Sequence, residues 1–267
     1  MTYRFLAAVL VAVAVVTQAC AQAPDHLQKI LAAGVLRVGT TMDTPVFSMR
    51  SADGRLEGID IDLLETLGPA LGVRVEYVKT NFGSMLSDLA ADKFDVAMSG
   101  MGRTLERARV ATFSRPYMRY GKLMLIRSAD RARFASLSDL DRPGMRIAYN
   151  QGGLNDRFAN TMFKQATVVG YASNELATAD LLANKVDAQV SDSTAAIYLE
   201  RQNPKLHAMA KYQVFNPVYV AMLLNRGDQT LLNFINIWLD QLELEGTIGK
   251  VRAKWLGDTN EPPTSGR

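Results

Sequence analysis

Residues 94–122 read FDVAMSGMGRTLERARVATFSRPYMRYGK and change character three times. Phe94, Val96 and Met98 alternate with Asp95 and Ala97, the period of two that marks a strand. The strand runs into Ser99-Gly100-Met101-Gly102, where small residues let a backbone come close to a ligand. Leu105-Glu106-Arg107-Ala108-Arg109 is a charged helical turn, and Phe113-Ser114-Arg115-Pro116-Tyr117 is a loop with a proline stop. Backbone N–H groups and a guanidinium just past a strand end make a receptor for a carboxylate. An ordinary strand–turn–helix with a solvated arginine has the same spacing, so the stretch alone leaves both readings open.

Working outward, the preceding residues alternate strand and helix. A short helix from Asp25 to Ala33 ends at Gly34, and Val35–Thr40 is a strand. The loop Thr41–Ser51 follows, with Asp43 and Phe47 in it; loops past strand ends collect ligand residues in α/β sheets. Ile59, Ile61, Leu64, Leu67 and Leu71 recur at helical spacing, Val73–Val78 is a strand, and Phe82–Ala91 is a helix. Such alternation predicts parallel strands. Beyond the apolar strand Leu123–Ile126 the pattern restarts. Strands at Met145–Tyr149, Thr167–Tyr171 and Val186–Ser191 alternate with helices, one starting after Asn150-Gln151-Gly152-Gly153, one capped by Asn174, one capped by Asp192 or Ser193. Pro217–Asn225 is strand-like, and helices follow at Leu231–Glu245 and Ile248–Trp255. The expected organisation is a lobe of 22–126 with 216–258, a second lobe of 127–215 inserted in it, and a loose tail at 259–267. Crossings near Leu123–Arg127 and Val218–Leu223 would join the lobes and leave a cleft, where ligands favour binding and a hinge closes.

The chain has 267 residues, net charge +3 and 48% hydrophobic residues, which suits two α/β lobes with real cores and excludes disorder. Basic and acidic residues are interspersed, with no run suited to nucleic acid. Arg4, the apolar run Phe5–Val16 and Ala19-Cys20-Ala21 form a leader with a small-x-small cleavage site before Gln22, so residues 1–21 read as a signal peptide and the product as periplasmic. Lipidation of Cys20 is the alternative, although Thr17 stands where a lipobox wants leucine. Cys20 is the only cysteine, so cleavage after Ala21 leaves no thiol chemistry. His26 and His207 lack partner histidines at metal-ligand spacing and read as surface residues. No nucleophile elbow or phosphate loop is present, and neither metal nor cofactor is called for.

Gly34-Val-Leu-Arg-Val-Gly39, Phe94-Asp-Val-Ala-Met98, Leu105-Glu-Arg-Ala108, Phe113-Ser114 and Val186-Asp-Ala188 resemble the periplasmic solute-binding proteins of the polar amino-acid type, family 3. The span Phe113–Lys122, Asn150-Gln-Gly-Gly-Leu-Asn-Asp-Arg-Phe-Ala159 and Gln202-Asn-Pro-Lys-Leu-His-Ala208 resemble one branch, the cyclohexadienyl dehydratases. The resemblance implies an α/β, two-lobe periplasmic-binding-protein fold of type II, with a mixed sheet in each lobe and two hinge crossings. It implies that Arg107 grips a ligand carboxylate, that Gly100 and Gly102 complete the grip, and that Asp192 holds an amino group. Phe82 falls where an aromatic walls the pocket. Asp43, Lys122 and Asn150 match polar pocket positions of the dehydratase branch, and Gly153 and Leu154 replace hydroxyl-bearing residues of many amino-acid binders. The implied role is capture of a small carboxylate-bearing solute, in the first place an amino acid, for a membrane permease of the ABC type, or presentation to a sensory receptor.

Elementary chemistry agrees for the charged pair. A zwitterion needs one fixed cation and one fixed anion, since burying either end unpaired is costly. The bland alternative for Asp192 is that it only caps the following helix. Arg103 and Lys122 either add positive charge or face solvent and pair with Glu106 and Asp43. The other functional reading is prephenate or arogenate dehydration, which needs an acid to protonate the leaving hydroxide. The resemblance puts that acid, a glutamate, three residues after the second-lobe aspartate; here that residue is Ala195. Glu200, five residues on, points elsewhere.

Overall fold

A computed structural model describes residues 25–209 and 214–257. The expected leader, its cleavage site, Cys20 and the tail at 259–267 fall outside these residues. The chain opens with α1 (His26–Ala33), β1 (Val35–Thr40), the short ribbon β2 (Asp43–Thr44), β3 (Ser48–Arg50) and β4 (Leu56–Glu57), then α2 (Ile59–Leu71), β5 (Arg74–Lys79), α3 (Met85–Ala90), β6 (Val96–Ala97), α4 (Leu105–Ala108) and β7 (Thr112–Phe113). β8 (Met118–Arg127) leads to α5 (Leu137–Leu140), β9 (Arg146–Asn150), α6 (Leu154–Met162), β10 (Thr167–Tyr171), α7 (Asn174–Leu182), β11 (Ala188–Asp192), α8 (Ser193–Gln202) and β12 (Leu206–Met209). β13 (Phe215–Val220), β14 (Leu223–Leu224), α9 (Gln229–Leu244) and α10 (Thr247–Leu256) follow.

Two mixed sheets form, one per lobe. The first runs β5-β1-β6-β14-β7, with β5, β1 and β6 parallel and β14 antiparallel to its neighbours. The second runs β10-β9-β11-β8-β12, with β13 also paired to β8. β14 returns to the first sheet after the whole second sheet has been built, so the second lobe is an insertion in the first. Period-two alternation sorts each strand's side chains onto two cores. In the first sheet Val96 and the following Met98 face a core built with α2 and α9, while Ala97 faces Met85 and Leu89 of α3; Phe94, expected on the Val96 face, lies before β6 and packs on the α3 side instead. In the second, Met124 and Ile126 face Phe158 and Phe163, while Leu123 and Leu125 face Ala177 and Leu181 of α7. Each fully buried leucine or phenylalanine contributes about 1.5–3 kcal/mol relative to exposure, so neither lobe depends on the other for a core.

The strands that join the lobes lie side by side. β8 and β13 pair antiparallel through Met118↔Val220 and Tyr120↔Val218, and the register breaks between Val218 and Phe215. Pro217, which has no N–H for the ladder, and Asn216, at φ 44°, occupy that break. Leu123–Ile126 are not in the passage between sheets. They pair with β11 and β12 inside the second one, which puts the first crossing a few residues earlier than the sequence suggested. The helix α7 is capped by Ser173, whose hydroxyl accepts from the Leu176 N–H at 3.2 Å, rather than by Asn174. His26 and His207 also differ from expectation. Carboxylates of Asp95 and Asp228 hold His26, and Glu200 holds His207 at 2.8 Å. Among the described residues no helix is long and apolar enough to cross a membrane, and no cluster of His, Cys, Asp and Glu is suited to a metal.

Candidate functional site

The glycine turn after β6 is fixed from below. Gly100 has φ 63°, and a Cβ there would lie 2.7 Å from the ring of Phe47, so only glycine fits. Its N–H donates to Asp60 at 2.7 Å, and the Tyr117 hydroxyl donates to the other Asp60 oxygen at 2.7 Å. Asp60 is fully buried, and that burial raises its carboxyl to about 7 against the two hydrogen bonds. Ser99 sits in a buried hydroxyl knot, 2.9 Å from Thr41 and 2.8 Å from Ser48. Phe47 packs edge-on against Tyr120, its ring centroid 5.9 Å away. Ser99 and Phe47 therefore lie behind the wall of the cleft.

Arg107 is positioned by a one-turn helix. The Thr104 hydroxyl accepts from the Arg107 N–H at 3.2 Å, which starts α4. The guanidinium turns back and donates through Nη1 to the Gly102 carbonyl at 2.8 Å. Arg107 is 9% exposed, and among the described residues no carboxylate lies within ion-pair distance of it. Burial pushes its pKa below the ordinary arginine value. The neighbouring Glu106 carboxylate is taken by Arg157 of α6, across the cleft.

On the second lobe, Lys122 of β8 and Asp192 of β11 stand opposite each other in the antiparallel register. The Lys122 Nζ donates to Asp192 Oδ1. Asp192 occupies the N-cap position of α8 but makes no side-chain capping bond, so capping is not what holds it. Lys122 is 2% exposed, and its Nζ lies 4.9 Å from the centroid of the Tyr120 ring. Burial lowers the pKa of this ammonium, with Asp192 opposing the shift.

These groups share one small cavity of about 20 Å³ between the lobes. Of the residues expected at a site, Arg107, Asp192, Lys122, Phe82, Gly100, Asn150 and Gly153 line it, as does Leu154 beside the last. Gly102 does not line it; its carbonyl accepts from Arg107. Asp43 lies at the mouth, in a wider concavity of about 580 Å³ that continues past Phe82 and Asn150, and it accepts the Asn174 backbone N–H at 3.2 Å across the cleft. Arg103 is exposed on the outside. Residues that sequence reasoning missed complete the lining: Thr44, Tyr120, Asn155 and Asn174. Tyr120 and Asn155 lie inside the stretches quoted for the resemblance, and Asn174 was singled out only as a cap. Asn155 donates to Asn150 Oδ1 at 2.7 Å, while its own Oδ1 is buried without a partner.

The lobes meet closely around the cavity. A Cβ on Gly152 would lie 2.6 Å from the Gly83 backbone, so glycine is needed at 152 where backbone meets backbone. A volume of about 20 Å³ is smaller than any amino acid and near the least that holds one water, so a solute reaches these groups only when the lobes part. Another concavity, about 620 Å³, lies elsewhere on the first lobe, beside His26 and Arg37, whose charges are already matched by Asp95 and Asp228.

The chain is 34% identical over 256 residues to a cyclohexadienyl dehydratase of Pseudomonas aeruginosa, covering 96% of this chain and 95% of the relative. It is 28% identical to an L-arginine-binding protein of the same organism, covering 83% and 87%. Among solved structures, the ancestral amino acid-binding protein AncCDT-1, a precursor of cyclohexadienyl dehydratase, superposes with a TM-score of 0.82 at 33% identity, over 86% of this chain and 99% of that one. The two lobes, each with its mixed sheet, are the type II periplasmic-binding-protein fold of these neighbours. The model of the bacterial extracellular solute-binding proteins, family 3, matches residues 36–258, and the chain belongs to that family.

Proposed function

We propose that this chain is a periplasmic binding protein that captures a small carboxylate-bearing solute of the amino-acid class by closing two lobes on it. The observation that carries the reading is Arg107, a buried guanidinium with a single backbone acceptor, facing a cavity whose carboxylate among the described residues, Asp192, is taken by Lys122. A buried cation without a counter-ion costs several kcal/mol, and a ligand carboxylate supplies the missing charge in bidentate geometry. Gly100 and Gly102 shape the wall beside it, and Phe82 with Gly153 and Leu154 covers the solute from both lobes. Contacts from both lobes are what make closure depend on the ligand. Family membership and a relative named for arginine binding support this class of solute. The closed form then docks on a membrane permease of the ABC type.

A second reading is dehydration of prephenate or arogenate, favoured by the relative that bears the dehydratase name. The residues present argue against it. Ala195 offers only a buried methyl group, Glu200 is turned away to His207, and Asp192 is held by Lys122. No carboxyl group in the cavity is free to hand a proton to a leaving hydroxide. Thermal-shift screening of the purified protein against amino and organic acids, beside a prephenate and arogenate turnover assay, separates the two. Stabilisation by acids without turnover is expected. Formation of phenylpyruvate faster than the spontaneous rate would establish the enzyme instead.

A further inference from the structure

Among the described residues three charged side chains line the cavity: Arg107, Lys122 and Asp192. Two are cations and one is an anion. Asp192, the group that would meet a ligand ammonium, already receives Lys122 Nζ from the neighbouring strand of its own lobe. Both partners are buried, and the register of β8 against β11 sets them opposite each other, so opening the lobes does not part them. An ammonium carries three donors and no acceptor. One Lys122 proton is spent on Asp192, and the same Nζ sits against the Tyr120 ring.

From this geometry we infer that the site recognises its ligand by the carboxylate alone, and that 2-oxo and 2-hydroxy acids are bound at least as tightly as the matching 2-amino acids. This rests on the carboxylate-binding reading above. One carboxylate on Arg107 brings the cavity to neutrality. A zwitterion adds no net charge and leaves a cation in excess, with its ammonium beside another. A carbonyl or hydroxyl oxygen at C2 is instead an acceptor facing a donor. Asn155 Oδ1, the buried acceptor without a partner, takes an N–H from an amino acid or the O–H of a 2-hydroxy acid but nothing from a 2-oxo acid, and it does not alter the charge balance.

The test uses matched pairs on the purified protein: phenylalanine with phenylpyruvate and 3-phenyllactate, leucine with 4-methyl-2-oxopentanoate, glutamate with 2-oxoglutarate. Affinity is measured by calorimetry for the set giving the largest thermal stabilisation. Equal or tighter binding of the oxo or hydroxy member is expected; tighter binding of the amino member overturns the inference and leaves the carboxylate site standing. Lys122→Met releases Asp192, so the affinity ratio is expected to move about tenfold or more toward the amino acid. Lys122→Gln serves as the second variant should the first not fold, and an unmoved ratio in the folded variant also overturns the assignment. If no acid of any set binds, the carboxylate reading fails and the inference with it.

Discussion

His26, Arg37, Asp95 and Asp228 meet in one ionic cluster on the first lobe, and Arg107, Lys122 and Asp192 in another at the cleft. In the first, His26 Nδ1 lies 2.5 Å from Asp228 and Nε2 lies 3.0 Å from Asp95, while Arg37 Nη2 lies 2.6 Å from Asp95. The hydrogen bond to Asp228, then that to Asp95, pushes the imidazole up to about 9, so it is a cation at neutral pH. Burial works to raise Asp95, but the bonds from His26 and Arg37 prevail and hold it at about 2. Two cations face two anions, and the cluster ties α1 to the start of α9. At the cleft two cations face one anion. A matched set serves the fold; an unmatched, buried set is poised for a charge from outside.

The sharpest way to break this contrast is Arg107→Ala. Ligand affinity should fall at least a hundredfold, about 3 kcal/mol, because the carboxylate loses its charge-assisted partner. The unliganded protein should hold or gain thermal stability, since a desolvated cation has gone. Persistence of carboxylate-dependent stabilisation in this variant would refute the site.

Gly152→Ala comes next. Gly152 has φ 80°, which strains alanine by itself, and a Cβ there also meets the Gly83 backbone where the lobes touch, so ligand affinity should weaken by about tenfold, about 1.4 kcal/mol. A calorimetric affinity equal to that of the unmodified protein would show that full closure is not required.

The His26 cluster should respond to pH, not to ligand. A histidine whose folded pKa is raised to about 9 contributes stability that is complete below about 6.5 and lost as pH rises through 9. Because the ring is partly exposed, the loss is about 1 kcal/mol, or a few degrees in Tm. In His26→Ala the same alkaline decline should vanish, with lower stability at pH 6. Asp60, raised to about 7, adds a separate loss between about pH 4 and 7, which Asp60→Asn should remove and His26→Ala should leave. Denaturation curves across pH 4–10 read both.

The smallest effect is expected from Arg157→Ala. Its bond to Glu106 crosses the cleft, but both side chains are more than half exposed, and such pairs contribute about 0–1 kcal/mol. Ligand affinity should change less than threefold at physiological salt. A larger change would promote this rim pair to a latch.

Strand and helix periodicity carried most of the architecture. The helix read from Gly58 to Leu71, which the structure starts one residue later, and the strand read at Thr167–Tyr171 were legible because period alone determines which face is buried. Helix ends were less so: Asn174 and Ser173 are equally good caps as residue types, and only backbone geometry chose between them. At the site, residue type singled out Arg107 and Asp192 as charges of opposite sign. It also nominated Phe47 and Ser99, which face the hydroxyl knot and the core, because a loop sequence does not reveal which side of the backbone meets the cleft. His26 was read as a surface residue because Asp95 and Asp228 lie far from it along the chain.

The amino acids by themselves determined two alternating α/β blocks, a glycine turn next to an arginine, and a lone acid at a strand end, since each is a local property of spacing and residue type. Only tertiary structure decided that Lys122 answers Asp192 while, among the described residues, no acid answers Arg107. That outcome depends on the register of two strands separated by some seventy positions in sequence, and on how closely two glycine-edged lobes approach. Neither is encoded in any short window, because charge pairing is a matter of distance in space.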